Sequence, residues 1–252
     1  MERARDLAPA ETRHELQEYV AYTSILADNT PSWENFVQHL DFADRHRNLR
    51  RVRRQIEEYI RALEVVPDYE AGEMEPLGRL AWVYQQIGVQ YNYIEEPDVA
   101  VDYFLMALEY AREAGSLEDV MRNEQFLAIA HRLQADRDVV VRRQLLERTA
   151  DHWRNARDTA EEVEDIPYLR YTQGRLLDTL ARTRPLDDAE LIAVRAANLK
   201  EVPWQGPINE FSTADAAIGE ATVRLHEGDY AGARVLYEMA LPYYEESQYL
   251  SD

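Results

Sequence analysis

Apolar residues recur along this chain at the three- and four-residue spacing of one helix face, almost from end to end. Leu16, Tyr19, Val20 and Leu26 mark a first helix over 9–27. Thr30-Pro31 supplies a cap and a first-turn proline for a second, with Trp33, Phe36, Val37 and Leu40 on one side. Leu49, Val52, Ile56, Tyr59, Ile60 and Leu63 mark a third that ends before Pro67, and a break is expected near 44–48. Residues 67–75 read as a connection, followed by a helix over 76–93 and a restart at Glu96-Pro97. Gly115 stops that helix, and Ser116 with Asp119 opens the next in capping-box style. Further helices fit 138–155, 166–183, 187–199, 213–227 and 229–247, with a Pro- and Gly-bearing connection over 201–212. Alternating apolar and polar runs are short, and no Asn-Gly or Asp-Gly hairpin signal occurs, so the pattern predicts an all-α chain.

The helices also repeat. Taking Ala81 as a first position, Tyr84 stands fourth, Ile87-Gly88 seventh and eighth, and Tyr91 eleventh. Ala100, Phe104 and Ala107 follow at a small–aromatic–small spacing. Small residues at these places let two antiparallel helices approach closely, with Tyr84 and Phe104 expected to fill the wedge beside Gly88. The same spacing returns with Ala233, Tyr237 and Ala240 after Gly228-Asp229-Tyr230, with Ala221 at the small position of the preceding helix. Ala130 with Leu145, Leu146 and Ala150 looks like a worn copy, and so does Gly174 with Ala189, Ala193 and Ala196.

This pattern resembles the tetratricopeptide repeat. The resemblance implies an α-solenoid of antiparallel helix hairpins, about four of them over 76–252, preceded by an N-terminal helical module over 1–66 that it does not reach. In that family the first helix of each hairpin lines a concave groove for a peptide or partner protein. On a helical wheel Trp82, Gln85, Val89 and Asn92 fall together, away from the Leu77/Leu80/Tyr84/Ile87 packing face. They either form an anchor in that groove or pack against the N-terminal helices. The family's clamp for chaperone tails needs Lys and Asn where this chain has Gln85 and Val89, so that ligand is not expected.

Composition narrows the function further. There is no Cys, which removes disulfides, zinc–thiolate sites and thiol nucleophiles. No run of apolar residues is long enough to span a bilayer, and the first residues lack a secretory core, so a cytoplasmic protein is expected. The formal charge is −20, and Lys200 is the lone lysine. That acid-rich, lysine-poor balance is of the halophilic kind, in which salt screens the repulsion between carboxylates. The field disfavours nucleic acid and anionic membrane as partners. One segment runs the other way: residues 1–44 carry −6, 45–54 carry +6 and 55–252 carry −20. Read as helix, Arg47, Arg50, Arg51 and Arg54 lie opposite the Leu49/Val52/Ile56/Leu63 stripe, with Glu57 and Glu58 as partial partners. They form either a solvated face or a docking patch for carboxylate or phosphate.

No reaction is visible. The six His are scattered, and no metalloprotease motif, phosphate loop or nucleophile elbow occurs. Glu11 and His14 have the spacing of a di-iron helix, but no second pair accompanies them. Neither cofactor nor metal is expected. The sequence therefore points to a non-enzymatic protein- or peptide-binding scaffold. The alternative is a ligand- or peptide-responsive regulator whose N-terminal helices act on a target. The charge gives a direct test. Thermal melts in molar KCl are expected to lie above those in low salt, and an equal or lower melting temperature at high salt removes the halophilic reading.

Overall fold

The computed structural model describes residues 30–48, 50–69, 74–201 and 211–250. The helix expected over 9–27 lies outside them, as does most of the 201–212 connection. The described residues form ten helices and no strands, in two compact units divided between Glu73 and Met74.

The first unit contains α1 (Trp33–Asn48) and α2 (Val52–Glu64), packed as a hairpin. Ser32 caps α1 through the Asn35 amide at 3.1 Å, and its own amide donates to the Val65 carbonyl at 2.9 Å, tying one end of the hairpin together. Phe36, Ala43, Tyr59 and Ala62 are fully buried between the helices. The chain breaks slightly later than the pattern suggested, because the reversal is made by Arg50 in the left-handed region at φ 54°. Its amide and that of Arg51 return to the Arg47 and His46 carbonyls at 2.9 Å, a helix-ending motif that keeps Asn48 inside α1. The unit also buries a pair that the sequence did not reveal. His39 Nδ1 lies 2.9 Å from Glu58 Oε2, and Arg61 donates to Glu58 Oε1 at 2.8 Å. Glu58, expected at the surface beside the arginines, is thus enclosed.

The second unit holds four hairpins: α3 (Met74–Tyr93) with α4 (Pro97–Glu113), α5 (Leu117–Arg137) with α6 (Arg142–Glu162), α7 (Ile166–Thr183) with α8 (Ala189–Glu201), and α9 (Phe211–Glu227) with α10 (Tyr230–Leu250). The punctuation is that of the sequence. Gly115 sits at φ +68°, a conformation that suits a residue without Cβ. Ser116 Oγ accepts from the Asp119 amide at 3.3 Å, and Asp165 caps α7 through the Tyr168 amide at 3.0 Å. In the first hairpin Gly88 faces the Phe104 ring itself. A Cβ there would lie 2.6 Å from the ring, so Phe104 occupies the notch that Gly88 leaves rather than the wedge beside it. Tyr84 stacks instead on Tyr110 of α4, with ring centroids 5.3 Å apart. Ala130, Leu146 and Ala150 are buried as the worn second copy requires, and Ala221, Ala233 and Ala240 are buried in the fourth hairpin.

The third hairpin departs from the pattern. Ala189, Ala193 and Ala196 are exposed, and α8 packs instead through Leu191 and Val194. The glycine that seemed to match those alanines turns away from them. A Cβ on Gly174 would come within 2.5 Å of the Asp215 backbone in α9, and one on Gly219 within 2.5 Å of the Gly174 carbonyl oxygen. The small residues of α7 therefore serve the next hairpin, not their own. This gives a paired test. Gly174→Ala is expected to destabilise the protein by about 1–3 kcal/mol through overpacking. Gly78→Ala is expected to stabilise it by about 0.5–1 kcal/mol, because Gly78 lies within α3 with nothing within 4 Å of a new Cβ. Urea denaturation of the two variants checks the opposite signs.

Candidate functional site

The first helices of neighbouring hairpins meet in two ways. α7 and α9 touch through Gly174 and Gly219. α5 and α7 each pack along α6 while their own backbones stay apart. A cleft of about 230 Å³ opens in that gap. Trp153 and Thr149 of α6 line it, with Ala128, Ile129 and Leu133 of α5 and Tyr171, Arg175 and Thr179 of α7. Side chains bridge α5 and α7 on either side of it. Gln125 donates to the Tyr171 hydroxyl at 3.1 Å and accepts from the Tyr168 hydroxyl. Further along, Arg132 Nη1 stands 3.5 Å from Asp178 Oδ2.

Asp178 is nearly buried and joins three helices. Its Oδ1 accepts from Arg182 Nε at 3.0 Å and from Thr222 of α9 at 2.7 Å. Arg132 is shared with Asp136 on its own helix, at 3.2 Å. Arg175 is held from behind: its Nε is 2.7 Å from Asp215 Oδ1 of α9, and its guanidinium lies over the rings of Tyr171 and Tyr244. Asp215 is fully buried, and burial pushes its carboxyl up to about 6, against the opposing pull of Arg175 and the Tyr244 hydroxyl. The cleft thus joins an apolar interior to a rim of paired charges, an arrangement that binds and orients. Its hydroxyls are already committed: Thr149 donates to the Leu145 carbonyl and Thr179 to the Arg175 carbonyl, each at 2.9 Å, and that of Tyr171 accepts from Gln125. Asp178, the carboxylate of the lining, is itself taken up by Arg132, Arg182 and Thr222. Among the described residues no three His, Asp or Glu side chains converge as metal ligands, and no helix is long and apolar enough to cross a membrane.

The four residues that the sequence placed on the groove face occupy different settings. Trp82 stays at the surface, 37% exposed. Gln85 is buried and donates to Asn123 of α5 at 3.4 Å. Val89 packs against the Phe104–Leu127 cluster, and Asn92 is half-buried with an unpartnered Oδ1. The structure does not gather them on one open face. Their register is informative nonetheless. Aligning Gly174 with Gly88 puts Tyr168, Tyr171, Arg175 and Asp178 at the positions of Trp82, Gln85, Val89 and Asn92. The first two bridge to α5, and the last three line the cleft. Sequence reasoning missed this set because it followed the better-preserved repeat, and the signal available was the faint Gly174 copy.

The four arginines of the basic patch all reach solvent at the α1–α2 reversal. They do not share one helix face, because the chain turns between them. Arg47 ends α1, pairs with Asp44 at 3.4 Å and donates to the Tyr59 hydroxyl at 2.9 Å. Arg50 makes the reversal, Arg51 precedes α2, and Arg54 pairs with Glu57 at 2.8 Å.

No family model matches this chain, and no curated protein matches it in sequence. Among solved structures, it is similar to the nearly identical TPR-like repeats of a Podosopora anserina chain described as a kinesin light chain. The match has a TM-score of 0.57 at 13% identity and covers 84% of this chain and 95% of that one. The chain has a TPR-like, all-α helical-repeat fold.

Behind the cleft, the His131 and His152 rings stack 5.2 Å apart across α5 and α6. Burial, with smaller contributions from His152 and Arg148, holds His131 below the usual histidine range, although its Gln134 hydrogen bond pulls the other way. A depressed folded-state value means that the unfolded chain takes up the proton more readily. This contribution to stability is present above about pH 6.5 and is lost as pH falls below it. His131→Phe keeps a ring on His152 and removes the titration. The variant is expected to lose less melting temperature than the parent between pH 7.5 and pH 5.5 (about one unit either side of the free histidine value), and an equal loss contradicts the assignment.

Proposed function

We propose that the chain is a non-enzymatic scaffold that holds a protein or peptide partner along the first helices of its hairpins, with the cleft over α6 as the seat for one partner side chain. The observation that carries this reading is the cleft itself. At about 230 Å³ it is smaller than the roughly 300–1,000 Å³ of a site for a drug-sized molecule, and it suits a single large side chain. Its apolar interior beside paired charges follows the usual anatomy of an anchor pocket. Exposed Trp82 on α3 supplies a second contact for a partner that runs across the hairpins, with Gln85, Val89 and Asn92 shaping the helix beneath it. The arginine corner of the first unit, Arg47, Arg50, Arg51 and Arg54, offers a separate hold on partner carboxylates. Arg suits that task, because its planar fork matches a carboxylate in two-point contact.

Peptide display on the immobilised full-length chain tests the proposal. Peptides recovered on the parent protein are expected to bind the Ile129→Asn variant at least about tenfold more weakly, and Trp82→Ala by a smaller factor. Circular dichroism melts establish that both variants fold. Failure to select any peptide, or selection of peptides that bind folded Ile129→Asn as tightly as the parent, overturns the proposal.

A further inference from the structure

The charges around the cleft are shared unequally. Arg132, Arg175 and Arg182 face Asp136, Asp178 and Asp215, and Arg142 also reaches Asp136, at 3.7 Å. Arg132 has two carboxylate partners, whereas among the described residues Asp215 is the one acid paired with Arg175. Asp215 lies behind the cleft, and its exposure is zero. Its Oδ1 is crowded, taking the Arg175 contact and the Tyr244 hydroxyl, while its Oδ2 is buried with no hydrogen-bond partner. A carboxylate with one orphaned oxygen inside the protein is held poorly as an anion and is ready to take a proton there. Arg175 is different. A third of its side chain is exposed, and it lines the cleft.

We infer that Asp215 is a proton-controlled counter-ion for Arg175, so that the cleft receives an anionic group carried on an apolar body and holds it more tightly when Asp215 is protonated. With Asp215 ionised, Arg175 is compensated by the carboxylate 2.7 Å from its Nε. With Asp215 protonated, one positive charge stands uncompensated at the mouth of an apolar pocket, beside Tyr171 and above Trp153. Three groups of α7 and one of α10 face Asp215. From α7 they are Arg175, Tyr171 and the arginine-paired Asp178, and burial raises the Tyr171 hydroxyl above its ordinary value. From α10 it is Tyr244, raised in the same way. α8 meets this part of α9 through Asn198, which donates to the Ala216 carbonyl at 3.0 Å, and its Arg195 is occupied with Glu220 at 2.7 Å and with Glu227. Burial places the Asp215 carboxyl near 6, so the change falls within a range that a cell or an assay can reach. The ligand chemistry follows. A partner side chain that is apolar, next to a carboxylate, phosphate or sulfonate, meets both the interior and the rim.

This inference rests on the cleft being a ligand seat, and the experiment separates the two. The probes are naphthalene-2-sulfonate, which stays ionised at every pH used, and neutral 2-naphthalenemethanol. Each is titrated calorimetrically into the full-length protein at pH 5.0 and pH 7.5 (about one unit below and one and a half above the Asp215 value). The neutral probe is expected to bind equally at both, and the sulfonate roughly five- to tenfold more tightly at the lower pH, the size of one added charge contact at a partly exposed rim. Asp215→Asn is expected to bind the sulfonate at pH 7.5 as tightly as the parent does at pH 5.0, and to lose the pH dependence. That variant also controls for His131 and His152, which it leaves in place. Arg175→Gln is expected to lose the acid gain for the sulfonate. If neither probe binds, the cleft is not a ligand seat and both readings fail. If the neutral probe binds but the sulfonate shows no acid gain, or Asp215→Asn keeps the gain, the cleft stands and the proton control falls.

Discussion

The spacing of neighbouring first helices governs everything else in the second unit, and it is set by side-chain size at the crossing. Where α7 meets α9, Gly174 and Gly219 leave no Cβ, and the backbones come into contact. Where α5 faces α7, the equivalent layer is filled by Gln125, Ile129, Tyr171 and Arg175, and the helices stand off over α6. A helix pair in contact buries its polar groups and closes. A pair held apart by long side chains leaves a volume that those side chains line but do not fill. The cleft is therefore the direct result of where glycine is placed and where it is withheld.

Close contact at α7–α9 also decides the electrostatics of the gap at α5–α7. Because α9 lies hard against α7, Asp215 and Thr222 reach residues of α7 from the far side, and they meet Arg175 and Asp178. A carboxylate in that position is sealed from water by the glycine contact beside it, which is why burial dominates its titration. The same packing that denies Asp215 a solvent shell leaves the Arg175 head at the cleft. One face of the helix contact stores an acid, and the other presents the base it compensates. Protonation chemistry and helix spacing are thus two consequences of one crossing.

Much of this architecture could be read from residues alone, for local reasons. Caps and breakers act within a few positions, so Ser116, Gly115 and Pro97 marked element ends close to where they occur. The first and last hairpins were legible because Gly88, Ala100, Phe104 and Ala107, like Ala221, Ala233 and Ala240, still occupy the repeat positions. The third hairpin was not, because Gly174 has two helices to choose from. Composition cannot say whether a small residue serves the helix that follows it or the hairpin beyond. The exposed alanines of α8 show which choice was made. The cleft was hidden for a related reason. Its residues come from three helices, and transferring the register of α3 to α7 reaches only Tyr171, Arg175 and Asp178 among them. In the first unit the arginine run looked like a helix face because the positive φ of Arg50 leaves no mark in a run of identical charges.

The preference for arginine over lysine acquires a structural meaning from these contacts. Links between hairpins repeatedly use a guanidinium against a carboxylate on another helix: Arg112 with Glu124, Arg154 with Glu190, Arg184 with Glu147, and Arg195 with Glu220. Arg195 holds Glu220 with two parallel bonds of 2.9 and 2.7 Å. An ammonium cannot make that fork, and it is more strongly hydrated than a guanidinium, so it resists being drawn between helices. Glu124 and Glu220 are almost completely buried, which makes their arginines a condition of burial rather than surface ornament. A stack of hairpins touching mainly its neighbours has few long-range contacts to hold it in line. Cross-helix arginine forks meet that need, and they draw on the acids of a chain that has acids to spare. Lysine is scarce where the positive residues must be planar, paired and half-enclosed, and that requirement operates whatever the salt around the protein.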